Sequence, residues 1–347
     1  MAEVINPKIS VVMPVYNGAA FLSEAIESIL KQSFSDFELI IVNDGSSDNS
    51  ESVINGFSDE RIVYVKNETN KGLIFTLNKG VGLSKGVYIA RMDHDDVADV
   101  LRFEKQINEF KKDPDLVICG SFIKTFENDK TEFISHMQST HAQIISSIFF
   151  TCPFAHPTVM MKKEALMKLD AVYREDYPHS EDYDLWSRLV FSGNSKNIPE
   201  YLLNYRVHNS QVSTVFEEHK YRSVVKIQTN ILSRFDIIPS ETESAILLNL
   251  FKGVSRKDRV YLNETALFLN KIHTAFVRKY PQYRDIHAQI LVGRWFKVCG
   301  NSGLGFANVK NAFSLPFFKV KYLKFKDLIK LLYKSITNYQ QIEKQNA

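Results

Sequence analysis

The sequence predicts an α/β fold with a parallel sheet, followed by a mostly helical C-terminal region. Over the first 100 residues, short apolar runs alternate with segments whose apolar residues recur at helical spacing. The apolar runs occupy residues 9–15, 37–42, 62–66 and 87–90. Strands that alternate with helices in this way pair in parallel through right-handed crossovers. The 347 residues are enough for two domains, and we assign residues 1–214 to the α/β domain and 215–347 to the helical region.

The composition is that of an ordinary globular chain. Hydrophobic residues make up 44% and charged residues 24%, and the net charge of +3 gives no reason to expect a nucleic-acid partner. Cys119, Cys152 and Cys299 are far apart and lack metal-ligand spacing, which indicates buried thiols in a reducing compartment. We see no signal-peptide pattern, and no run approaches the ~18 apolar residues of a membrane span. We therefore expect a cytoplasmic protein.

Polar segments follow the apolar runs and are expected to meet at one edge of the sheet. Tyr16 and Asn17 follow the first run, Asp44 follows the second, and Asn70-Lys71-Gly72 opens the helix after the third. In open parallel sheets, ligands bind beyond the carboxyl ends of the strands. The chain has neither a G-x-G-x-x-G turn nor a P-loop, which suggests that phosphate is held through a metal rather than by a glycine-rich backbone.

The fourth run ends in Ala90-Arg91-Met92-Asp93-His94-Asp95-Asp96, which places three carboxylates at the end of a buried strand. Repulsion among them would raise their pKa values unless a positive charge lies between them. A divalent cation with oxygen ligands, which commonly also holds phosphate, is one such partner. A solvated acidic turn that caps the helix beginning near Leu101 explains the same residues equally well.

The second half of the α/β domain is less periodic. Residues 117–133 could form a strand pair, and residues 152–158 form a loop with two prolines. An apolar stripe over residues 185–190 places Glu181 and Asp182 at a helix N-terminus, where the helix dipole favours ionised carboxylates. An ionised carboxylate at the edge of a cleft can act as a general base, although plain helix capping is the alternative interpretation.

A further run at 198–205 precedes Arg206-Val207-His208. His208 could be a metal ligand, and Arg206 could meet phosphate. An incidental histidine in a surface loop is the alternative.

Six segments, taken in order, resemble family 2 glycosyltransferases. They are Pro14-Val15-Tyr16-Asn17, Asn43-Asp44-Gly45-Ser46-Ser47-Asp48, Asn70-Lys71-Gly72, Asp93-His94-Asp95-Asp96, Glu181-Asp182-Tyr183-Asp184-Leu185 and Arg206-Val207-His208. The resemblance covers roughly residues 6–215 and is carried by the order of the motifs more than by any single one. It implies the GT-A fold, a Rossmann-like mixed sheet flanked by helices, with a nucleotide-sugar half at about 6–100 and an acceptor half at about 101–214.

The resemblance also implies an activity. Family members transfer a sugar, with inversion, from a nucleotide diphosphate, most often UDP, to a glycan or lipid-linked acceptor, using Mn²⁺ or Mg²⁺. Asp182 would be the base, with Glu181 beside it, and the metal would be held by Asp93, Asp95 and His208. The implied nucleotide-binding residues are Pro14, Val15, Tyr16, Asn17, Asp44, Asn70, Lys71, Gly72, Arg91, Asp93 and His94.

Two other functions remain to be weighed. A sugar-1-phosphate nucleotidylyltransferase usually has a glycine-rich loop with Arg and Lys after its first strand, whereas this chain has Pro14-Val15-Tyr16-Asn17-Gly18. A catalytically silent scaffold on a membrane surface would be expected to lose the base or the metal motif, and both are present. A processive synthase is not favoured, because Gln289 and Arg294-Trp295 do not have the Gln-x-x-Arg-Trp spacing.

The C-terminal region carries apolar stripes that could serve a monomer core or a homodimer. Within it, residues 315–334 contain six lysines and one aspartate among aromatic and aliphatic residues. This composition suits an anionic membrane surface, on the inner face of the cell membrane. A terminal helix packed on its own domain, with solvated lysines, explains it equally well.

Overall fold

The computed structural model describes residues 6–127, 130–135, 137–208, 217–304 and 307–346. The chain divides into two compact units, one formed by residues 1–144 and 152–223 and the other by 145–151 and 224–347. The boundary predicted between residues 214 and 215 lies outside the described residues.

The described strands form one mixed sheet. They are β1 (Ile9–Val15), β2 (Phe37–Asn43), β3 (Ile62–Lys66), β4 (Tyr88–Arg91), β5 (Val97–Ala98), β6 (Leu116–Glu127), β7 (Lys130–Ser135), β8 (Met160–Lys162) and β9 (Asn194–Arg206). The helices between them are α1 (Leu22–Leu30), α2 (Ser50–Asn55), α3 (Leu73–Leu83), α4 (Arg102–Lys112), α5 (His141–Ser147), α6 (Lys163–Met167) and α7 (Glu181–Leu189). A short 3₁₀ helix spans His156–Thr158.

The sheet has a parallel half and a mixed half. Its strand order is β3-β2-β1-β4-β8-β6-β9-β5, with β7 paired to β6. The first four strands in this order are parallel, as the alternation of strands and helices predicted. Strand β8 runs antiparallel to both β4 and β6, which makes the sheet mixed. The carboxyl ends of β1, β2 and β4 therefore lie at one edge, and the predicted α/β class, a mixed sheet flanked by helices, is confirmed.

The core of the first unit lies around β1 and β2, in which every residue is buried. Strands covered on both faces read as continuous apolar runs, which is why the sequence located them well. Helix α1 covers the sheet with the predicted apolar face, formed by Leu22, Ala25, Ile26 and Ile29. The predicted strand pair at 117–133 is the antiparallel β6–β7 pair.

A buried polar network joins α4 to the end of β4. The Arg102 guanidinium is fully buried and donates through Nη2 to the Arg91 carbonyl at 2.7 Å. One turn on, Gln106 Nε2 donates to the carbonyl oxygens of Cys119 and Thr158, at 2.8 and 2.7 Å. Burial and the nearby Arg91 guanidinium lower the pKa of Arg102 to about 9. This network fixes the backbone that leads into the acidic stretch.

The second unit is helical, as predicted. Its helices include α8 (Glu217–Ser233), which begins in the first unit, and α9 (Glu241–Lys252), α10 (Arg259–Lys279), α11 (Arg284–Asn301), α12 (Ala307–Ala312) and α13 (Phe325–Asn346). Phe149, from the 145–151 segment, packs against Phe235 and Phe276 in its aromatic core. Within the part of the chain that the structure describes, no helix combines the length and the apolar character needed to cross a bilayer.

The Arg102 network gives a first testable prediction. Lysine cannot reproduce the planar fork of the guanidinium, so Arg102→Lys disrupts the hydrogen bond to the buried Arg91 carbonyl and the contact with the Val159 carbonyl. We expect the variant to lose about 2–4 kcal/mol of unfolding free energy, measured by urea denaturation. Lys105→Met on the same helix is the control, because it removes only the exposed ion pair with Glu200 and should cost about 1 kcal/mol or less. Equal losses in the two variants would contradict the prediction.

Candidate active site

The loops after β1 and β2 interlock at the predicted edge of the sheet. The Asn17 backbone N–H donates to Ser46 Oγ at 3.0 Å, and the Ser47 N–H donates to Asn17 Oδ1 at 2.9 Å. Asn17 has a φ of 51°, a left-handed conformation that asparagine tolerates better than most residues. Tyr16 and Asn17 are exposed there, whereas Pro14 and Val15 are buried inside β1. Of these four predicted residues, only Tyr16 and Asn17 have exposed side chains at this edge.

Asp44 holds the turn that precedes α3. Its buried carboxylate accepts hydrogen bonds from the backbone N–H groups of Lys71 and Gly72, at 2.8 and 2.9 Å, and from Asn67 Nδ2 at 2.7 Å. Gly72 has a φ of 89°, which favours glycine. The Asn70 side chain caps the same Gly72 N–H at 2.9 Å. The four predicted residues Asp44, Asn70, Lys71 and Gly72 therefore lie together. Asp44 also fixes the backbone of this turn, a structural role that was not predicted from the sequence.

The acidic stretch after β4 gathers three carboxylates. Oxygens of Asp93, Asp95 and Asp96 all lie within 4.8 Å of one another. Asp96 is buried, and its Oδ2 has no hydrogen-bond partner among the described residues. Burial and the neighbouring carboxylates raise the pKa of Asp96 well above its ordinary value, and burial raises that of Asp93. Clustered carboxylate oxygens of this kind are what Mg²⁺ and Mn²⁺ prefer as ligands.

Two histidines adjoin the acidic stretch. His208 Nε2 lies 3.0 Å from Asp95 Oδ2, so the predicted metal residues Asp95 and His208 are in direct contact. The ring of His94 packs against Gly18, where a Cβ atom would collide with it. The β1 loop and the β4 loop therefore meet at this point.

Arg206, at the end of β9, is hydrogen-bonded to the acidic stretch. Its guanidinium pairs with Glu24, and its Nε donates to the Asp95 carbonyl at 2.9 Å. Its backbone N–H donates to Asp96 Oδ1 at 2.9 Å. The phosphate contact suggested for Arg206 from the sequence stays a prediction, and in the structure the guanidinium pairs with Glu24.

Glu181 and Asp182 begin α7, as predicted. Asp182 accepts from the Tyr183 N–H at 2.6 Å and from the Cys152 thiol at 3.7 Å. Burial and the adjacent Asp182 raise the pKa of Glu181 to about 7, and burial raises that of Asp182. The helix dipole was expected to keep both carboxylates readily ionised. Burial outweighs that effect, so the pKa values of both carboxylates lie above their ordinary values.

Arg91 links the two acidic groups. It is buried at the end of β4 and forms an ion pair with Asp93. Its positive charge also limits the rise in the pKa values of Glu181 and Asp182. One buried cation therefore interacts with the carboxylates after β4 and with those at the start of α7.

Two residues that interact with the charged groups of the site, His156 and Tyr173, were not among those predicted from the sequence. The Tyr173 hydroxyl lies 3.0 Å from His156 Nε2, and Asn78 fixes the Tyr173 backbone through its amide side chain. Burial raises the pKa of Tyr173, which also interacts with the charges of Arg91 and Glu181. Burial lowers the pKa of His156 well below its ordinary value, so this imidazole is neutral. The two prolines of the 152–158 loop were the one sequence signal near these residues.

The raised pKa of Glu181 makes stability depend on pH. Folded Glu181 holds a proton up to about pH 7, whereas the ordinary glutamate value is 4.5, so its contribution to stability is lost as pH rises between these values. Glu181→Gln stays neutral. We expect it to exceed the wild type by about 1–3 kcal/mol in unfolding free energy above neutral pH, with the difference shrinking toward acid pH.

Chemical denaturation across this pH range measures the difference. Glu68→Gln, in an exposed loop, is the control for the loss of one negative charge. A Glu181→Gln difference that does not change with pH would contradict the assignment.

Comparison with known proteins identifies the family. Residues 10–170 match the family described as Glycosyl transferase family 2. An uncharacterised glycosyltransferase of Haemophilus influenzae is 30% identical over 260 residues, which cover 71% of this chain and 80% of that protein. The O-antigen biosynthesis glycosyltransferase WbnJ of Escherichia coli is 38% identical over 208 residues, which cover 58% of this chain and 80% of WbnJ.

Solved structures agree on the fold. Residues 1–349 of S. aureus TarS, crystallised with UDP, align with a TM-score of 0.56 at 16% identity, covering 97% of this chain and 92% of that one. The mannosyltransferase PcManGT from Pyrobaculum calidifontis, in complex with GDP-Man and Mn²⁺, aligns with a TM-score of 0.52 at 14% identity, covering 85% and 86%. The chain belongs to glycosyltransferase family 2 and is a glycosyltransferase.

Proposed function

We propose that this glycosyltransferase moves a sugar, with inversion, from a UDP-sugar to a hydroxyl group of a glycan or a lipid-linked acceptor. One observation carries the proposal: the buried Arg91 interacts both with the carboxylates after β4 and with the Glu181–Asp182 pair. This shared cation supports the interpretation of the two acidic groups as one site, with a donor-binding cluster and a general base. TarS, which shares the fold, has been crystallised with UDP and with UDP-GlcNAc, which supports the choice of donor.

A divalent cation, Mn²⁺ or Mg²⁺, fits the acidic cluster. The fit is supported by the buried Asp96 Oδ2 without a hydrogen-bond partner and by the carboxylate oxygens that lie within 4.8 Å of one another. Asp93 and Asp95 would hold the ion, with His208 beside them. A cation bound there stabilises the negative charge that develops on the leaving diphosphate.

The exposed residues of the neighbouring loops would hold the nucleotide. Tyr16 and Asn17 present side chains at the edge of the sheet, and Lys71 lies on the turn that Asp44 fixes. Asp44 itself is occupied by backbone N–H groups, so we assign it to positioning this turn. Asn70, Gly72 and His94 would form part of the same nucleotide site at this edge of the sheet.

Asp182 would accept the proton of the acceptor hydroxyl as its oxygen attacks the anomeric carbon. A single displacement by that oxygen, from the face opposite the diphosphate, inverts the configuration and needs only one base. The Tyr183 amide and the Cys152 thiol orient the Asp182 carboxylate. Because the pKa of Glu181 is about 7, Glu181 is about half protonated near neutral pH, and this reduces the negative charge beside Asp182 and its repulsion of the donor diphosphate.

The donor class is tested by thermal shift with UDP, GDP, dTDP and CMP, each with and without Mn²⁺. We expect UDP with Mn²⁺ to raise the Tm by about 5 °C at a concentration about 100-fold above its Kd. Asp95→Asn should abolish this shift because it removes a carboxylate ligand. An equal response to all four nucleotides, independent of Mn²⁺, would contradict the proposed site.

The base is tested by kinetics with a UDP-sugar that the protein turns over. Asp182→Asn keeps the size of the side chain and removes the proton acceptor, so we expect kcat to fall about 10²- to 10⁴-fold. Cys152→Ser is the matched control, since it keeps a donor beside Asp182. Proton NMR of the product should show the inverted anomer. Wild-type kcat in Asp182→Asn, or a retained configuration, would exclude the mechanism.

A further inference from the structure

Helix α13 has two apolar faces, of which one is covered. Leu331 and Ser335 are buried on the face that packs against α11. On another face, five large side chains are between 38% and 75% exposed: Phe325, Ile329, Leu332, Tyr333 and Ile336. Their spacing of four, three, one and three residues places them along one side of the helix. We call these five residues the α13 stripe.

A row of cations runs beside the α13 stripe. Lys326, Lys330 and Lys334 are exposed and recur every four residues, which aligns them along one edge of the stripe. From α11, Lys297 joins them: its pKa is lowered by burial and by the charges of Arg294, Lys334 and Lys330. Positive charge is therefore concentrated on this side of the helix pair, with Asp327 as the acidic residue in the first three turns of α13.

The combination restricts what can cover the stripe. Isolated exposed apolar residues are normal on a protein surface, but an aligned set of five next to a cationic row marks an interaction site. A second copy docked through the same face would bring two lysine rows to one interface, where like charges repel. An anionic bilayer satisfies both features, because its acyl boundary takes the apolar side chains and its phosphates take the lysines.

We propose that the α13 stripe lies on the surface of an anionic phospholipid membrane, with Lys326 and Lys330 at the lipid phosphates. The helix lies in the plane of the interface. Because Leu331 and Ser335 stay packed on the protein side, docking needs no rearrangement of the helix. The proposal goes beyond the transfer reaction and does not depend on the donor, the metal or the base assigned above.

Flotation of the full chain with vesicles tests the proposal. We expect the protein to float with vesicles of phosphatidylcholine mixed with phosphatidylglycerol, and much less with phosphatidylcholine alone. High salt should weaken the binding because it screens the lysines. Phe325→Glu combined with Tyr333→Glu should lower the partition coefficient about tenfold or more. Lys326→Gln and Lys330→Gln should each lower it about fivefold.

A matched control distinguishes the loss of the α13 stripe from the general effect of two added negative charges. Val260 and Leu267 on α10 are 63% and 69% exposed, so Val260→Glu with Leu267→Glu makes the same change at another exposed surface of the same unit. Circular dichroism melting verifies that each variant is folded. Absence of wild-type binding to anionic vesicles would overturn the proposal, as would an equal loss in the control. A wild-type dimer in light scattering that the stripe variant disperses, without vesicle binding, would assign the face to self-association and overturn it too.

Discussion

Repulsion among the three carboxylates after β4 is the constraint on which the rest of the first unit depends. Carboxylate oxygens of Asp93, Asp95 and Asp96 lie within 4.8 Å of one another in a largely buried position, where the neighbouring like charges raise the pKa of Asp96. Contacts from distant parts of the chain hold them there: Arg102 fixes the Arg91 carbonyl, and Arg206 binds the backbone or carboxylate of two of the three acids. The fold holds the cluster in place, and within the described residues the cluster remains short of positively charged partners.

The shortage of positive charge at these carboxylates bears directly on the proposed reaction. Arg91 supplies one buried positive charge, which the carboxylates after β4 share with Glu181 and Asp182. A divalent cation would offset the negative charge of the first group and of a donor diphosphate, and the proposed role of the second group is to accept a proton. Burial rather than the helix dipole sets the proton affinity of the second group, so its environment is already that of a general base. In the proposed function, a single site therefore binds an anionic leaving group and activates a hydroxyl.

Much of the fold could be predicted from the sequence, because the strands around the site are buried on both faces and end in polar turns. β1 and β3 have the predicted bounds, and the carboxylates after β4 stand where the motif placed them. Long-range partners could not be predicted. Arg206 pairs with Glu24, 182 residues away, and residues 145–151 belong to the second unit. Periodicity reveals which face of an element is buried, but it does not reveal which distant side chain satisfies a given charge.

The central claim is that the acidic cluster binds the donor through a cation while Asp182 acts only on the acceptor. Calorimetric titration of UDP, with and without Mn²⁺, into the wild type, Asp95→Asn and Asp182→Asn tests it most directly. We predict that Mn²⁺ strengthens UDP binding in the wild type and in Asp182→Asn alike, and that Asp95→Asn weakens it by about tenfold or more. UDP affinity that is indifferent to Mn²⁺ and unchanged in Asp95→Asn would contradict the claim.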